Sequence, residues 1–318
     1  MMKSGNSAQK PKKITNRKYS LNHKVMKKFR FSIVAVVVLA AIFTVGCQEN
    51  PNIENLDVIT AEDDMIADAA FDDVFSEVDG VMNLLDENGY EYSALKAAGV
   101  DQDTCPVISI ISEPGSFWPR TVIVDYGDGC DVSRFQNGRE RIRKGRIVIK
   151  VSGPMWQEGS SREITFEDFF INDHQVEGRR TVTNEGVWEE GEYQGLHYFS
   201  VMLEGGKVIT PEGQEISKEV NRTRTFVEGF DTRWDTRDDI WHINGVATGV
   251  NREGVSFSRE ITSALWKEIG CRFITRGTVL IQADGRPDVV LDYGDGVCDP
   301  HATITVNGET KDIRLRRW

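Results

Sequence analysis

The sequence predicts a mainly β protein, an antiparallel β meander preceded by one N-terminal amphipathic helix. Three observations lead to this prediction. Apolar residues recur at intervals of three and four between 61 and 85, which is the helical period. After 105 the period changes to two, and turn residues separate the apolar runs. The connections are short, so consecutive strands are expected to be antiparallel neighbours in a large twisted sheet, a sandwich or a partial barrel.

The first 46 residues are predicted to be an export signal. They carry ten Lys or Arg and no Asp or Glu. Basic residues after Met26 precede an uncharged run of 16 residues, 31–46, in the order of a secretory signal. This run is shorter than the ~20 residues of a membrane-spanning helix. Residues 1–25 show no apolar period, so Met26 is the expected translation start.

The end of the apolar run, Thr44-Val45-Gly46-Cys47, resembles the lipobox of bacterial lipoproteins, although Thr44 departs from the leucine usual there. The resemblance implies cleavage before Cys47 and attachment of diacylglycerol to its thiol, which anchors the chain to membrane lipid. An uncleaved signal anchor or a cytosolic apolar helix is the alternative. The expected organisation is a signal region at 1–46, a lipidated tether at 47–60 and a single β-rich domain at 61–318.

The predicted helix covers 61–88. One face carries apolar residues such as Met65, Val74 and Leu85, and the other is rich in Asp and Glu. The acidic residues concentrate toward the N-terminal end, where the helix dipole favours negative charge.

Four further cysteines are predicted to form two disulfides, because secretion places them in an oxidising compartment. Cys105, Cys130, Cys271 and Cys298 allow three pairings. A duplicated motif selects one of these, since each copy runs strand, turn, strand, D-Y-G-D-G and cysteine, with the cysteines 25 and 27 residues apart. The sequence therefore predicts Cys105 bonded to Cys130 and Cys271 bonded to Cys298, each bond closing a hairpin.

The two D-Y-G-D-G segments allow two interpretations. The favoured one is a tight turn, in which glycine supplies a positive φ and aspartate bonds to its own backbone. The alternative is a calcium site, because calcium prefers carboxylate oxygens, although the spacing differs from that of an EF-hand loop. The candidate ligands are Asp125, Asp128, Asp131, Asp292, Asp295 and Asp299.

Beyond 105 the sequence predicts strands joined by hairpin turns. The predicted strands are 107–112, 120–126, 144–152, 161–171, 176–184, 196–204, 207–210, 214–228, 239–250, 255–264, 272–282, 288–293, 301–306 and 310–316. The predicted turns are 204–206, 211–213, 251–254 and 307–308, of which the last is an Asn-Gly pair typical of a type I′ turn.

Arginines two residues apart, such as Arg141 with Arg143 and Arg222 with Arg224, are expected to share one face of a strand. The favoured interpretation is a solvated face paired with acids on adjacent strands. An acidic glycan or a lipid phosphate is the alternative partner. Trp188 and Trp234 lie in polar segments and are the candidates for an exposed binding surface.

Composition and motifs exclude some functions. Residues 47–318 hold 28 Lys or Arg against 50 Asp or Glu, a net charge of −22, which argues against nucleic-acid binding. The sequence has no H-E-x-x-H motif, no G-x-S-x-G elbow, no P-loop and no dinucleotide fingerprint. It therefore predicts no cofactor and no catalytic residues, and gives little support for an enzyme.

The signal, the acidic helix, the paired D-Y-G-D-G-C turns and the segments F-F-I-N-D-H-Q-V-E-G-R-R-T-V-T-N and N-R-T-R-T-F-V-E-G-F-D-T together resemble a family of uncharacterised secreted lipoproteins of Gram-negative bacteria. The resemblance implies a β-rich envelope protein, expected at the outer membrane on its periplasmic or surface side. It implies no activity. The expected function is binding or structural, with a glycan or another envelope protein as partner. The alternative is a carbohydrate-active enzyme or a glycan-binding accessory protein.

Overall fold

The computed structural model describes residues 53–90, 105–132, 141–232 and 236–315, and residues 51–318 form one compact unit. The predicted fold class is confirmed, since the described residues form a single α-helix followed by one antiparallel sheet of 14 strands. The elements are α1 (Ile53–Asn88), β1 (Val107–Ser112), β2 (Arg120–Asp125), β3 (Cys130–Asp131), β4 (Ile142–Val151), β5 (Ser161–Ile171), β6 (His174–Val187), β7 (His197–Ile209), β8 (Glu215–Glu228), β9 (Ile240–Val250), β10 (Ser256–Glu268), β11 (Arg276–Ala283), β12 (Val289–Asp295), β13 (His301–Val306) and β14 (Glu309–Arg314).

The sheet is a meander in which the strands pair in sequence order from β1 to β14, while the short β3 pairs with β4 beside this path. Neighbouring residues in the register share a face, so Val122 of β2, Ile149 of β4 and Ile164 of β5 form one buried row. β1 and β14 are the two ends of the strand order, and the described strands do not close the sheet on itself.

Residues 204–206 lie inside β7, so the prediction of a hairpin turn there is wrong. The register shift around Gly206 marks a β-bulge, which joins the strands predicted at 196–204 and 207–210 into one. A Cβ on Gly206 would lie 2.4 Å from the carbonyl oxygen of Lys218 on the next strand. Glycine is present here because two backbones approach closely, and not because the chain reverses.

The other predicted turns do connect strands. Asn307 and Gly308 have φ values of 52° and 83°, as a type I′ hairpin requires. The turns at 211–213 and 251–254 are closed by backbone hydrogen bonds, from Gly213 to Thr210 at 2.8 Å in the first case. These short connections produce the antiparallel order of the sheet.

The core lies between α1 and one face of the sheet. Phe71, Val74 and Leu85 of α1 pack with buried residues of β1 to β9, whereas Ala61 packs with a second cluster from β9 to β13. One helix therefore contacts strands from both halves of the sheet. The sheet must curve around α1 to make these contacts, so α1 lies along its concave face.

The helix begins at Ile53, eight residues before its predicted start at 61, so residues 53–60 of the predicted tether are helical. Thr60 is 1% exposed, and its hydroxyl accepts a hydrogen bond from the Asn251 side chain at 2.9 Å. The polar composition of residues 53–60 does not predict this contact, because Asn251 lies 191 residues later in the sequence. Among the described residues, no helix combines the length and apolar character needed to cross a membrane.

The cysteines lie in the two pairs that the duplicated motif predicts. The Cα atoms of Cys105 and Cys130 are 5.8 Å apart, and those of Cys271 and Cys298 are 5.7 Å apart, and each pair is bonded. The pairs lie near opposite ends of the strand order, at β3 in the first copy and beyond β12 in the second.

Candidate functional site: a charged cavity between helix and sheet

The acidic side of α1 faces cations on the inner face of the sheet. Arg141, Arg143 and Arg222 are at most 9% exposed, so the prediction that these arginines form a solvated face is wrong. They pair with carboxylates of α1. The physical reason is the alternation of side chains along a strand, because Arg143 in β4 and Arg222 in β8 lie on the same side of the strand as the apolar residues that pack against the helix.

The first charged cluster lies near the N-terminal half of α1. Lys218 is fully buried, and its Nζ lies 2.5 Å from Asp64 Oδ1 and 2.6 Å from Asp68 Oδ1. Arg222 and Arg259 complete the cluster, at 2.7 Å from Asp68 and 2.9 Å from Asp64 respectively. Burial disfavours the charged form of Asp68, but the three surrounding cations outweigh burial and hold the pKa of Asp68 well below its usual range.

A second charged cluster lies farther along α1. Asp73 pairs with Arg141 and Arg143, and Glu77 accepts hydrogen bonds from Arg143 at 3.2 Å and from the Tyr126 hydroxyl at 2.5 Å. Burial, reinforced by the nearby Glu77 charge, raises the pKa of Tyr126 well above its usual value. The tyrosine is therefore a fixed donor to the helix.

Arg162 pairs with the last turns of α1. Its guanidinium lies 2.9 Å from Asp86 and 3.4 Å from Asp79. Burial raises the pKa of Asp86 even though Arg162 and a hydrogen bond from the Tyr90 hydroxyl act in the opposite direction. Charged contacts thus follow α1 along most of its length.

A cavity of about 520 Å³ remains between α1 and the sheet. One stripe of α1 forms the first wall of the cavity, and its residues are Ala69, Asp72, Ser76, Gly80 and Asn83. Ala69 and Asp72 are half-buried, whereas Ser76, Gly80 and Asn83 are exposed and mark the mouth of the cavity. Its volume lies within the ~300–1,000 Å³ typical of small-molecule sites.

The opposite wall of the cavity is aromatic. Phe226 of β8 and Trp241 of β9 are cross-strand neighbours whose rings stack with centroids 4.1 Å apart. Phe199 of β7 meets Trp241 edge-on at 5.6 Å. Arg224 lies beside these rings, and its guanidinium carbon is 5.7 Å from the centroids of both Trp241 and Phe75. The wall therefore combines apolar surface with the cationic group of Arg224.

Some residues singled out in the sequence lie elsewhere. Cys47 and Trp234 are outside the described residues. Trp188 follows β6 and does not line the cavity, since its ring stacks on Tyr198 at 4.1 Å and its Nε1 donates to Thr225 at 3.1 Å. Its role in binding stays a prediction.

The two D-Y-G-D-G segments share one hydrogen bond but differ in secondary structure. The first forms a turn after β2, whereas residues 292–295 of the second lie in β12, so the tight turn predicted there is wrong for these residues. Asp125 and Asp292 each accept a hydrogen bond from the backbone N–H of the glycine two residues later, at 2.8 and 2.9 Å. The Arg146 guanidinium bonded to Asp125 lowers the pKa of that carboxyl. Asp128 and Asp295 are exposed. Within the described ranges, no group of three or more His, Cys, Asp or Glu is arranged to hold a metal ion.

The residues that form the cavity wall are not among those predicted from the sequence. Trp241 lines the cavity, and so does Trp156, which is 45% exposed, but the predicted binding surface contains only Trp188 and Trp234. A usable signal exists in β8, where Lys218, Arg222 and Arg224 alternate in phase with apolar residues that point inward. Cations in that phase indicate a charged partner inside the fold.

A scan against protein-family models found no matching family, and searches of curated proteins and of solved structures found no matching protein. The functional argument therefore rests on this chain's own residues.

Proposed function

We propose that this chain is a lipid-anchored protein of the Gram-negative cell envelope that binds a small molecule in the cavity between α1 and the sheet. The cavity carries this proposal, because it combines aromatic rings with charged groups in a space of ligand size. The lipobox-like segment ending at Cys47 and the two disulfides support an envelope location. The outer membrane, on either its periplasmic or its surface side, is the proposed site.

Filling the cavity tests the binding proposal. N-phenyl-1-naphthylamine, a neutral dye that fluoresces in apolar sites, is expected to bind residues 48–318 at one dye per chain. Ala69→Trp places an indole in the cavity from α1 and is expected to weaken dye binding at least about tenfold, because the ligand volume is occupied. Dye fluorescence titration measures both affinities.

The matched control is Met202→Trp, which adds the same ring at a position of β7 that is 45% exposed. This variant is expected to bind the dye as the wild type does. Equal affinities of Ala69→Trp and the wild type, or no saturable binding by the wild type, would contradict the cavity proposal.

The proposed anchor has its own test. A Cys47→Ala variant is expected to lose metabolic labelling by a palmitate analogue and to leave the membrane fraction, because no thiol remains to carry the lipid. Fractionation of labelled cells measures both outcomes. Retained labelling would reject Cys47 as the acylated residue.

A second candidate function is glycan binding, alone or as part of a carbohydrate-active enzyme. Trp156 and Trp241 line the cavity together with the carboxylates of Asp72 and Asp79. Tryptophan rings and carboxylates are the groups that sugar sites use. A glycan-array screen of residues 48–318 with the Ala69→Trp variant as control distinguishes this candidate, which predicts saccharide binding that the variant loses.

A further inference from the structure

We propose that the ligand of this cavity is an organic anion with an apolar body, whose charged group lies at Arg224 and whose body packs on Phe199, Phe226 and Trp241. This inference deepens the proposed function and rests on it. It specifies the chemical class of the ligand and names Arg224 as the residue that selects it.

The charge balance of the inner face leads to Arg224. Arg141, Arg162, Arg222 and Arg259 all pair with carboxylates of α1. Among the described residues, Arg224 makes no ion pair, and its charge meets only the rings of Phe75 and Trp241. A cation on a cavity wall without an anionic partner is a ready site for a ligand carboxylate, sulfonate or phosphate.

Arg180 reinforces the positive charge at this place. It is 6% exposed, lies over the ring of Phe75 from the neighbouring side and forms no ion pair with any described residue. Burial and then the charge of Arg224 hold the pKa of Arg180 well below its usual range, while Asp72 and Asp79 act in the opposite direction.

The two arginines project from the inner face of β6 and β8, with only β7 between them. Asp79 is engaged with Arg162 at 3.4 Å, so Asp72 is the remaining carboxylate of α1 that acts on Arg180. One negative charge opposite two buried or half-buried positive charges leaves an excess of one. A bound anion would supply the missing charge in a place where burial strengthens the attraction.

The aromatic wall beside Arg224 indicates the chemistry of the rest of the ligand. Phe226 and Trp241 stack side by side across β8 and β9, and Phe199 lies edge-on to the indole. In the register Phe199 is directly opposite Arg224, so the guanidinium and the rings line one side of the cavity. A ligand with a charged end and an apolar end can therefore satisfy both at once.

Two dyes of nearly equal shape test this inference. 1-Anilinonaphthalene-8-sulfonate and N-phenyl-1-naphthylamine share their ring system and differ in the sulfonate. Residues 48–318 are expected to bind the sulfonate more tightly than the neutral dye. Arg224→Gln is expected to reduce sulfonate affinity about tenfold or more, because it removes a charge-assisted contact, and to change affinity for the neutral dye less than about twofold.

Two further variants make the result specific. Arg179→Gln removes an exposed arginine that pairs with Glu204 at 2.8 Å on the other face of the sheet, and it is expected to change neither affinity. Arg224→Lys keeps the charge and is expected to retain most of the sulfonate affinity, which a loss of fold would not allow. Cooperative urea unfolding is measured for each variant, because partly folded chains also bind the sulfonate dye.

The outcomes separate this inference from the proposed function. If both dyes bind equally well and Arg224→Gln changes neither, the cavity binds ligands but the anion inference is overturned. An equal loss of sulfonate binding in Arg179→Gln and Arg224→Gln also overturns it. If neither dye binds the wild type, the proposed function itself fails.

Discussion

Asp68 has a charged environment that a surface carboxylate never has. Lys218, Arg222 and Arg259 surround it at 2.6, 2.7 and 3.1 Å. Such a cluster need not be more stabilising than an apolar core, because each charge loses its hydration on burial. Removing Asp68, however, leaves three buried cations with Asp64 as the remaining carboxylate of the cluster, and that loss of compensation is large.

Asp68→Asn is expected to lower the free energy of unfolding by about 3–5 kcal/mol, because three cations lose the charge they share. Urea denaturation at neutral pH measures the change. Glu204→Gln is the matched control, since its ion pair with Arg179 is about half exposed on both sides. Glu204→Gln is expected to lower the free energy of unfolding by about 1 kcal/mol or less.

The same variant reveals a pH dependence. The folded pKa of Asp68 lies below the unfolded value of ~3.9, so its stabilisation is complete above that value and is lost as pH falls through the folded pKa. The stability difference between wild type and Asp68→Asn should therefore narrow below about pH 4. A difference that stays constant down to acid unfolding would contradict the assigned role.

At the scale of elements, the two cystine hairpins are equivalent in sequence and share two contacts. In each, an aspartate accepts a hydrogen bond from the glycine two residues later, and a disulfide joins the cysteine after D-Y-G-D-G to the segment before the first strand. A disulfide stabilises mainly by restricting the unfolded chain, and the effect increases with the length of the closed loop.

Replacing Cys271 and Cys298 together by Ser is expected to lower the free energy of unfolding by about 3.5 kcal/mol, the chain-entropy value for a loop of 27 residues. Urea denaturation measures the loss. The wild type in the presence of a reductant should lose this amount plus the contribution of the Cys105–Cys130 bond. A double variant as stable as the wild type would show that the hairpin is held by its strands alone.

At the scale of the whole molecule, period and turn chemistry predicted the fold class and most strands, because a meander is built from local contacts. Strand β5 coincides with its predicted range of 161–171. The docking of α1 was not predictable in this way, since it joins residues far apart in the sequence. Polarity alone does not predict that the Asp64 carboxylate is buried and the Asp68 carboxylate largely so, because their partners lie on β8 and β10.

The cavity was invisible in the sequence for the same reason. Arg224 and Trp241 belong to different strands, and Asp72 belongs to the helix, so no linear spacing relates them. The available signal was that the cations of β8 lie on the same side of the strand as its inward-facing apolar residues. It indicates that a charged partner is inside, but not whether that partner is α1 or a ligand.

The position of α1 at the start of the chain has a consequence in time. Thr60 bonds to Asn251, which is 191 residues later in the sequence. At ~5–20 residues per second, about 10–40 s of synthesis separate the two. The second half of α1 has nearer partners, since Arg143 follows Asp73 by 70 residues and Arg162 follows Asp79 by 83. The first half can complete its ion pairs only after β8 and β10 are available, because Lys218 and Arg259 belong to those strands.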